Sequence, residues 1–186
     1  MRIIDFVASF LGLIVLAPLM IIIPFLIKLE TPGPVLFRQV RVGLKGKLFT
    51  CLKFRTMYVD TENRPSHEIA TSSITKVGSV LRRTKLDEIP QLINVLVGHM
   101  ALVGPRPCLP SQTELIEARE KGGAFNVLPG ITGLAQINHI DMSEPERLAR
   151  MDAFYAETRT IWGDIKIIFL TFAYIVKPKA SANRIG

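Results

Sequence analysis

Residues 82 to 107 hold the side chains whose types and spacing could do chemistry. They are Arg82, Arg83 and Lys85, the adjacent carboxylates Asp87 and Glu88, and Arg106 in a stiff Gly-Pro-Arg-Pro turn. Acid and base crowded into so short a stretch point to chemistry on a phosphate. There, cations neutralise the transferring group, and a carboxylate serves as nucleophile, base or metal ligand. Neighbouring residues on a helix point roughly 100° apart, so Asp87 and Glu88 cannot share one proton as a facing dyad and would take different jobs. Asp-Glu before a proline is also a common way to begin a helix, and a pure capping role stays open at this point.

The elements that must position these groups follow from the local pattern. Leu86, Ile89, Ile93 and Leu96 recur at helical spacing, and Gly98 stands where a helix would stop. Pro90 fits only a first turn, where its missing N–H costs nothing. The spacing therefore predicts a helix that starts near Asp87 and Glu88, at the end where the dipole favours negative charge. Upstream, 35–43 and 47–57 alternate partly about a Gly43–Gly46 turn and predict a short β-hairpin that puts Lys53 and Arg55 on one strand face. A solvated polar face is an equal reading of that pair.

Between hairpin and central stretch, Tyr58 to Thr75 is polar and predicted to be a mobile loop, and 76–83 a short helix. Beyond Arg106, Ser111 caps a predicted helix to Glu120, with Glu114 completing a capping box and Gly122-Gly123 ending it. The loop from Leu128 to Asn138 carries glycines that would let backbone approach a nucleotide or sugar, or simply turn. Pro145 opens another helix, with an apolar stripe of Leu148, Met151, Tyr155, Thr158 and Trp162. Ile165 to Val176 is apolar apart from Lys166 and too short to span a bilayer. It reads as a core helix or one lying in a membrane interface, bracketed by Trp162, Tyr174, Lys177 and Lys179.

The amino terminus is different in kind. Residues 6 to 27 carry no charge, which is about the ~20 residues a spanning helix needs. No small-x-small cleavage site follows, which argues against a signal peptide. Pro18 and Pro24 interrupt the run, and basic residues flank both of its ends. A helix-break-helix that enters and returns on the cytoplasmic face satisfies the positive-inside rule at least as well as a straight span.

Composition sets the outer bounds. The chain has 186 residues, a net charge of +7 and 48% hydrophobic residues, with mean hydropathy +0.31. That length predicts one core. A basic body beside apolar termini fits an anionic membrane face. No nucleic-acid-binding motif is visible, so nucleic acid is excluded as a partner. Two cysteines without a C-x-x-C pattern, and three scattered histidines, give no zinc or disulfide framework.

Taken together the segments resemble the bacterial sugar transferase family, small monotopic phosphoglycosyl transferases that use a polyprenyl phosphate. The resemblance is carried by Arg2-Ile-Ile-Asp5, Pro18, Gly33-Pro-Val-Leu-Phe37, Gln39, Arg41-Val-Gly43, Lys53-Phe-Arg-Thr-Met57, Leu86-Asp-Glu-Ile-Pro-Gln-Leu92, Asn94-Val-Leu96, Gly104-Pro-Arg-Pro107 and Pro129-Gly-Ile-Thr-Gly133. It implies an α+β, mostly helical fold. A re-entrant membrane helix over 1–30 breaks at Pro18, and a membrane-associated catalytic domain over 31–186 carries the hairpin and interfacial helices.

The resemblance also implies that Asp87 attacks the β-phosphate of a UDP-sugar, releasing UMP, and that a polyprenyl phosphate then takes the sugar phosphate from the carboxylate. Glu88 joins Asp87 as a catalytic residue and in holding magnesium. Lys53, Arg82, Arg106 and Asp164 bind the nucleotide sugar; Asp152 and Asp164 match recurrent acidic positions for which a structural role is equally open. The expected partners are a UDP-sugar, polyprenyl phosphate and membrane lipid at the cytoplasmic face of the inner membrane. The last helix offers either a membrane contact or a homo-oligomer face. Direct attack by the polyprenyl phosphate and a non-catalytic scaffold are the alternatives. His99, Leu128 and Asn138-His-Ile-Asp141 depart from the family pattern, the last of these near the presumed sugar pocket.

Overall fold

Two apolar helices that meet at a bend begin the chain. The computed structural model describes residues 1–59 and 73–176. Helix α1 (Arg2–Val15) and helix α2 (Ala17–Glu30) are inclined by 61° to one another. The bend falls at Leu16, so Pro18 sits within the first two positions of α2. There its missing N–H is no loss, and its ring blocks continuation from α1. The break expected at Pro18 is thus displaced two residues upstream, by the steric reach of the ring. Pro24 lies inside α2 without ending it. Among the described residues no single helix is long and apolar enough to cross a membrane.

The hairpin forms as its alternation predicts. Strand β1 (Leu36–Val42) pairs antiparallel with β2 (Leu48–Phe54), with Phe37 opposite Lys53 and Gln39 opposite Cys51. Helix α3 (Lys76–Thr84) follows, and Lys85, in the left-handed region at φ 60°, turns the chain into a 3-10 turn over Leu86–Glu88. Helix α4 (Gln91–Val97) then begins behind Pro90 and ends at Gly98, φ 92°. The carboxylates therefore occupy the turn between two helices, not the first turn of one. Pro90 caps α4, and the α-helical hydrogen bonding starts only after it.

The remaining elements are β3 (Ala101–Val103), α5 (Thr113–Lys121), β4 (Gly130–Thr132), α6 (Leu134–Ile137), α7 (Pro145–Thr158) and α8 (Ile161–Val176). Strand β4 pairs in parallel with β3, a contact the local pattern did not announce. Its glycines are consumed by backbone packing. A Cβ on Gly130 would lie 2.1 Å from Gly104 N, and one on Gly133 2.2 Å from Gly104 O. The close approach foreseen for this loop is to the Gly104 turn. The α5 capping box does not form: Gln112 is the cap, and its Oε1 accepts from Leu109 N at 2.9 Å.

Several small cores join these pieces. Ile23 and Ile27 of α2 pack with Phe54, Leu81 and Ile89, beneath the carboxylate turn. Phe49, Cys51, Val95 and Met100 form a second cluster, and Leu115, Leu148 and Ala149 belong to a third between α5 and α7. The stripe on α7 runs inward through Leu148 and Tyr155, but Trp162 is 80% exposed on α8, beside exposed Phe169 and Phe172. Most of the loop expected over 58–75 lies outside the described residues, as do Lys177 and Lys179.

Candidate active site

Asp87 and Glu88 are both buried, at 8% exposure each, yet their settings are opposite. Lys53 Nζ donates to Glu88 Oε1 at 2.7 Å, and Arg106 Nη2 donates to the same oxygen at 2.8 Å. Lys53 reaches it from β2, on the strand face shared with Phe49 and Cys51; Arg106 reaches it from the turn after β3. Burial alone would raise the Glu88 pKa, but the charges of Arg106 and Lys53 and their hydrogen bonds hold it well below the ordinary carboxylate range. Glu88 is an ionised anchor over the whole useful pH range.

Asp87 has no such partner. Its Oδ1 is buried and receives no hydrogen bond. Burial, then repulsion from Glu88, raise its pKa, opposed by Lys53, Lys85 and Arg106. A buried carboxylate oxygen without a donor is costly, and such an orphan marks a place where a ligand completes the bonding. A carboxylate of raised pKa is also a stronger nucleophile than a solvated one once it is ionised. Sequence adjacency thus becomes a division of roles, one carboxylate locked and one available.

The cations around them outnumber the two carboxylates. Arg41 lines a shallow pocket with Cys51, Lys53, Gln91, Arg106 and Pro107. Its Nη1 donates to Pro107 O at 3.0 Å, and its Nε to Gln39 Oε1 at 3.0 Å. Burial, and then repulsion from Arg106, bring its pKa down to about 10. Burial also lowers Lys53 despite the pull of Glu88, while Glu88 raises Arg106. Arg41 and Gln91 are the site residues that sequence reasoning missed as functional. Arg41 stood in a quoted motif, and its parity with Gln39 on β1 was the available signal.

Arg82 lies close enough to Asp87 for the carboxylate to oppose the lowering of its pKa by burial, and its Nε donates to Thr56 Oγ1 at 2.8 Å. Arg55 does not share the setting of Lys53, nor is it solvated. It is buried and donates to Thr31 O, Thr31 Oγ1 and Pro32 O, fixing the turn that leaves α2. Asp164 also stands apart from the Asp87 cluster. It accepts from Tyr155 OH at 2.8 Å and pairs with Arg159 at 3.5 Å, where α7 meets α8. Asp152 is in a closed pair with Arg119. Of the departures, His99 lies beside Phe49, ring centroids 5.9 Å apart, His139 takes a left-handed turn after α6, and Asp141 Oδ1 accepts from Ser143 N.

For a metal, the donor set offers Asp87 Oδ1, a buried carboxylate oxygen that accepts no hydrogen bond, while Glu88 Oε1 already serves two cations. Among the described residues no group of three or more His, Cys, Asp or Glu could hold an ion by itself. That fits magnesium bound by one or two carboxylates and completed by phosphate oxygens and water, not a protein cage.

Comparison with known proteins agrees with the resemblance seen in the sequence. The family model for bacterial sugar transferases matches residues 1–178. A UDP-glucose:undecaprenyl-phosphate glucose-1-phosphate transferase of Caulobacter vibrioides is 40% identical, over 91% of this chain and 67% of its own length. One of Escherichia coli K12 with the same name is 44% identical, over 90% of this chain and 38% of its own. A UDP-N-acetylgalactosamine-undecaprenyl-phosphate N-acetylgalactosaminephosphotransferase of Aeromonas hydrophila is 35% identical, over 92% of this chain and 42% of its own. The chain thus spans well under half the length of the last two. It belongs to the bacterial sugar transferase family.

Proposed function

We propose that this bacterial sugar transferase moves a sugar-1-phosphate from a UDP-sugar to a polyprenyl phosphate at the cytoplasmic face of the inner membrane, releasing UMP. The names of its relatives favour a UDP-hexose donor, UDP-glucose before UDP-N-acetylgalactosamine, and undecaprenyl phosphate as acceptor. The observation that carries the reading is the orphaned Asp87 carboxylate beside a Glu88 already neutralised by Lys53 and Arg106.

In the first step an Asp87 oxygen attacks the β-phosphorus of the donor. The bond from that phosphorus to the bridging oxygen breaks, the oxygen leaves with UMP, and the sugar phosphate stays on the carboxylate as an acyl phosphate. In the second, an oxygen of the polyprenyl phosphate attacks the same phosphorus and displaces Asp87. No proton has to move in either step, which suits a site with no general base beyond the ionised Glu88. Lys53 and Arg106 give part of their pairing with Glu88 to the phosphate oxygens as charge develops there. Arg82 and Arg41 supply the outer positive field, already fixed in place by Thr56, Gln39 and Pro107. Asp87, with Glu88 beside it, would hold a magnesium ion, which would supply further neutralisation of the diphosphate.

The bent pair α1–α2 is read as a re-entrant membrane hairpin. Its apolar side chains are exposed, with Ile3 at 79% and Ile21 at 74%, and exposed Trp162, Phe169 and Phe172 of α8 fit a helix lying in the interface. The site then meets a lipid-borne phosphate at the surface.

The test uses the full chain in vesicles with magnesium, undecaprenyl phosphate and a panel of UDP-sugars. The wild type is expected to release UMP from one donor and, without acceptor, to gain the mass of one sugar phosphate at Asp87; Asp87→Asn does neither. UMP release by Asp87→Asn would overturn the nucleophile and favour direct attack by the lipid phosphate. No release by the wild type from any donor would favour a scaffold.

A further inference from the structure

The turn that carries Asp87 is held at both ends by the two ends of the membrane hairpin. Glu30 is the last residue of α2. Its Oε1 accepts from Lys76 N at 2.6 Å and its Oε2 from Val77 N at 3.0 Å, so its carboxylate caps α3 from outside. The cap is complete: Gly78 N donates to Thr75 Oγ1 and Thr75 N to Thr56 O. Arg2, the first residue of α1, donates from Nη1 to Val95 O at 3.2 Å, near the C-terminus of α4. Helices α3 and α4 flank the Leu86–Glu88 turn directly, so each bracket acts on the turn through one short rigid element.

The placement of charge supports a role outside the hairpin. A carboxylate in the last turn of α2 opposes that helix's own dipole, whereas at the start of α3 it meets free N–H groups and the positive end of another. For Arg2 the same holds in reverse, since it meets the negative end of α4. Helix α3 has little freedom to absorb a shift at its start. A Cβ on Gly78 would fall 2.1 Å from Thr56 O, and Arg82 donates to Thr56 Oγ1. A displacement of the Glu30 end is therefore delivered about 14 Å away, at 1.5 Å per residue, to Lys85 and the Asp87 turn.

We propose that Glu30, with Arg2 as its counterpart, is a positioning residue that fixes the Asp87 turn relative to the membrane hairpin, so that the carboxylate is set for the phosphate of a lipid-bound acceptor and of the donor. The proposal rests on the phosphotransfer reading above. Neither residue touches substrate; both act through the helices that flank the turn.

The experiment follows the rate of phosphosugar uptake on Asp87 in a single turnover, with the full chain in vesicles, for the wild type, Glu30→Ala and Glu30→Gln. Because an error of about 1 Å at the reacting atom costs up to about 100-fold, Glu30→Ala is expected to slow uptake about tenfold while the KM for the donor moves less than about twofold. The final fraction of chains labelled stays at the wild-type level. Glu30→Gln, which keeps one acceptor oxygen, recovers most of the rate. Hydrogen exchange should quicken in Glu30→Ala at Lys76 and Val77 and, through α3, at residues 85 to 89.

An unchanged rate, a rate that falls only with the labelled fraction, or a Gln variant no better than Ala overturns the positioning role. If the wild type takes up no phosphosugar, the phosphotransfer reading fails. Hydrogen exchange then decides the coupling alone, and unaltered exchange over residues 85 to 89 overturns it.

Discussion

Among the described residues, two buried arginine–carboxylate arrangements are built differently. Between α5 and α7, Arg119 gives both Nε and Nη2 to Asp152 Oδ2, at 3.0 and 2.6 Å, with side-chain exposures of 1% and 3%. Charge is matched one to one. Around Glu88 two cations converge on one oxygen, Arg106 keeps 33% of its side chain exposed, and the neighbouring Asp87 has a bare oxygen. The difference teaches that burial of charge alone does not mark a site. A closed pair ties two helices together; an open cluster with surplus cation and an unsatisfied acceptor awaits a ligand.

Mutations can break that contrast. The largest effect is expected from Asp87→Asn, which should cut UMP release by about 1,000-fold or more while the protein remains folded. Next is Asp152→Ala, which strands Arg119 without a counter-ion. It should cost about 3–5 kcal/mol of stability, read as a lowered thermal midpoint, with the turnover of chains that remain folded unchanged. If Asp152→Ala instead lost turnover at full stability, the two arrangements would not differ in kind. Glu88→Gln comes third, slowing UMP release by about 100-fold, because Lys53 and Arg106 are no longer held in place.

The smallest effect is in pH and sharpens the comparison within the cluster itself. The Asp87 pKa is raised from 3.8 in the fold, so its contribution to stability is present below that ordinary value and lost as pH rises through the raised one. Asp87→Asn should therefore be slightly more stable than the wild type at neutral pH. Glu88 is lowered from 4.5, so its contribution is present above 4.5 and lost only as pH falls through its depressed value. The single-turnover rate should fall on the acid side with the Asp87 ionisation, above the ordinary carboxylate range, while Glu88 stays charged. A rate that follows an unshifted carboxylate would show Asp87 solvated.

Much of the local structure was legible because it depends on neighbours in sequence. The hairpin about Gly43–Gly46, the stop at Gly98, Pro145 at the head of α7 and a broken apolar start all follow from turn chemistry and proline sterics. The start of α4 was misplaced: Pro90 moved the helix past the carboxylates, and the 3-10 turn that holds them has no pattern of its own. The α5 capping box failed because Gln112 folded back on Leu109 instead. Arg55 resembled Lys53 on the strand, yet it was claimed by the carbonyls of the Thr31–Pro32 turn.

By itself the sequence determined which chemistry was at hand: two adjacent carboxylates, the basic residues that can neutralise a phosphate, an apolar amino terminus broken by proline, and the motifs that place the chain in its family. These depend on residue type and short spacing, which the chain cannot alter by folding. Only the tertiary structure decided that Glu88 and not Asp87 would take Lys53 and Arg106, that Arg41 would join them, that Asp164 would go to Tyr155, and that Glu30 would cap a helix 46 residues further on. Charge–charge energies grow with burial and fall with distance, and distances between residues far apart in the chain are set by packing alone.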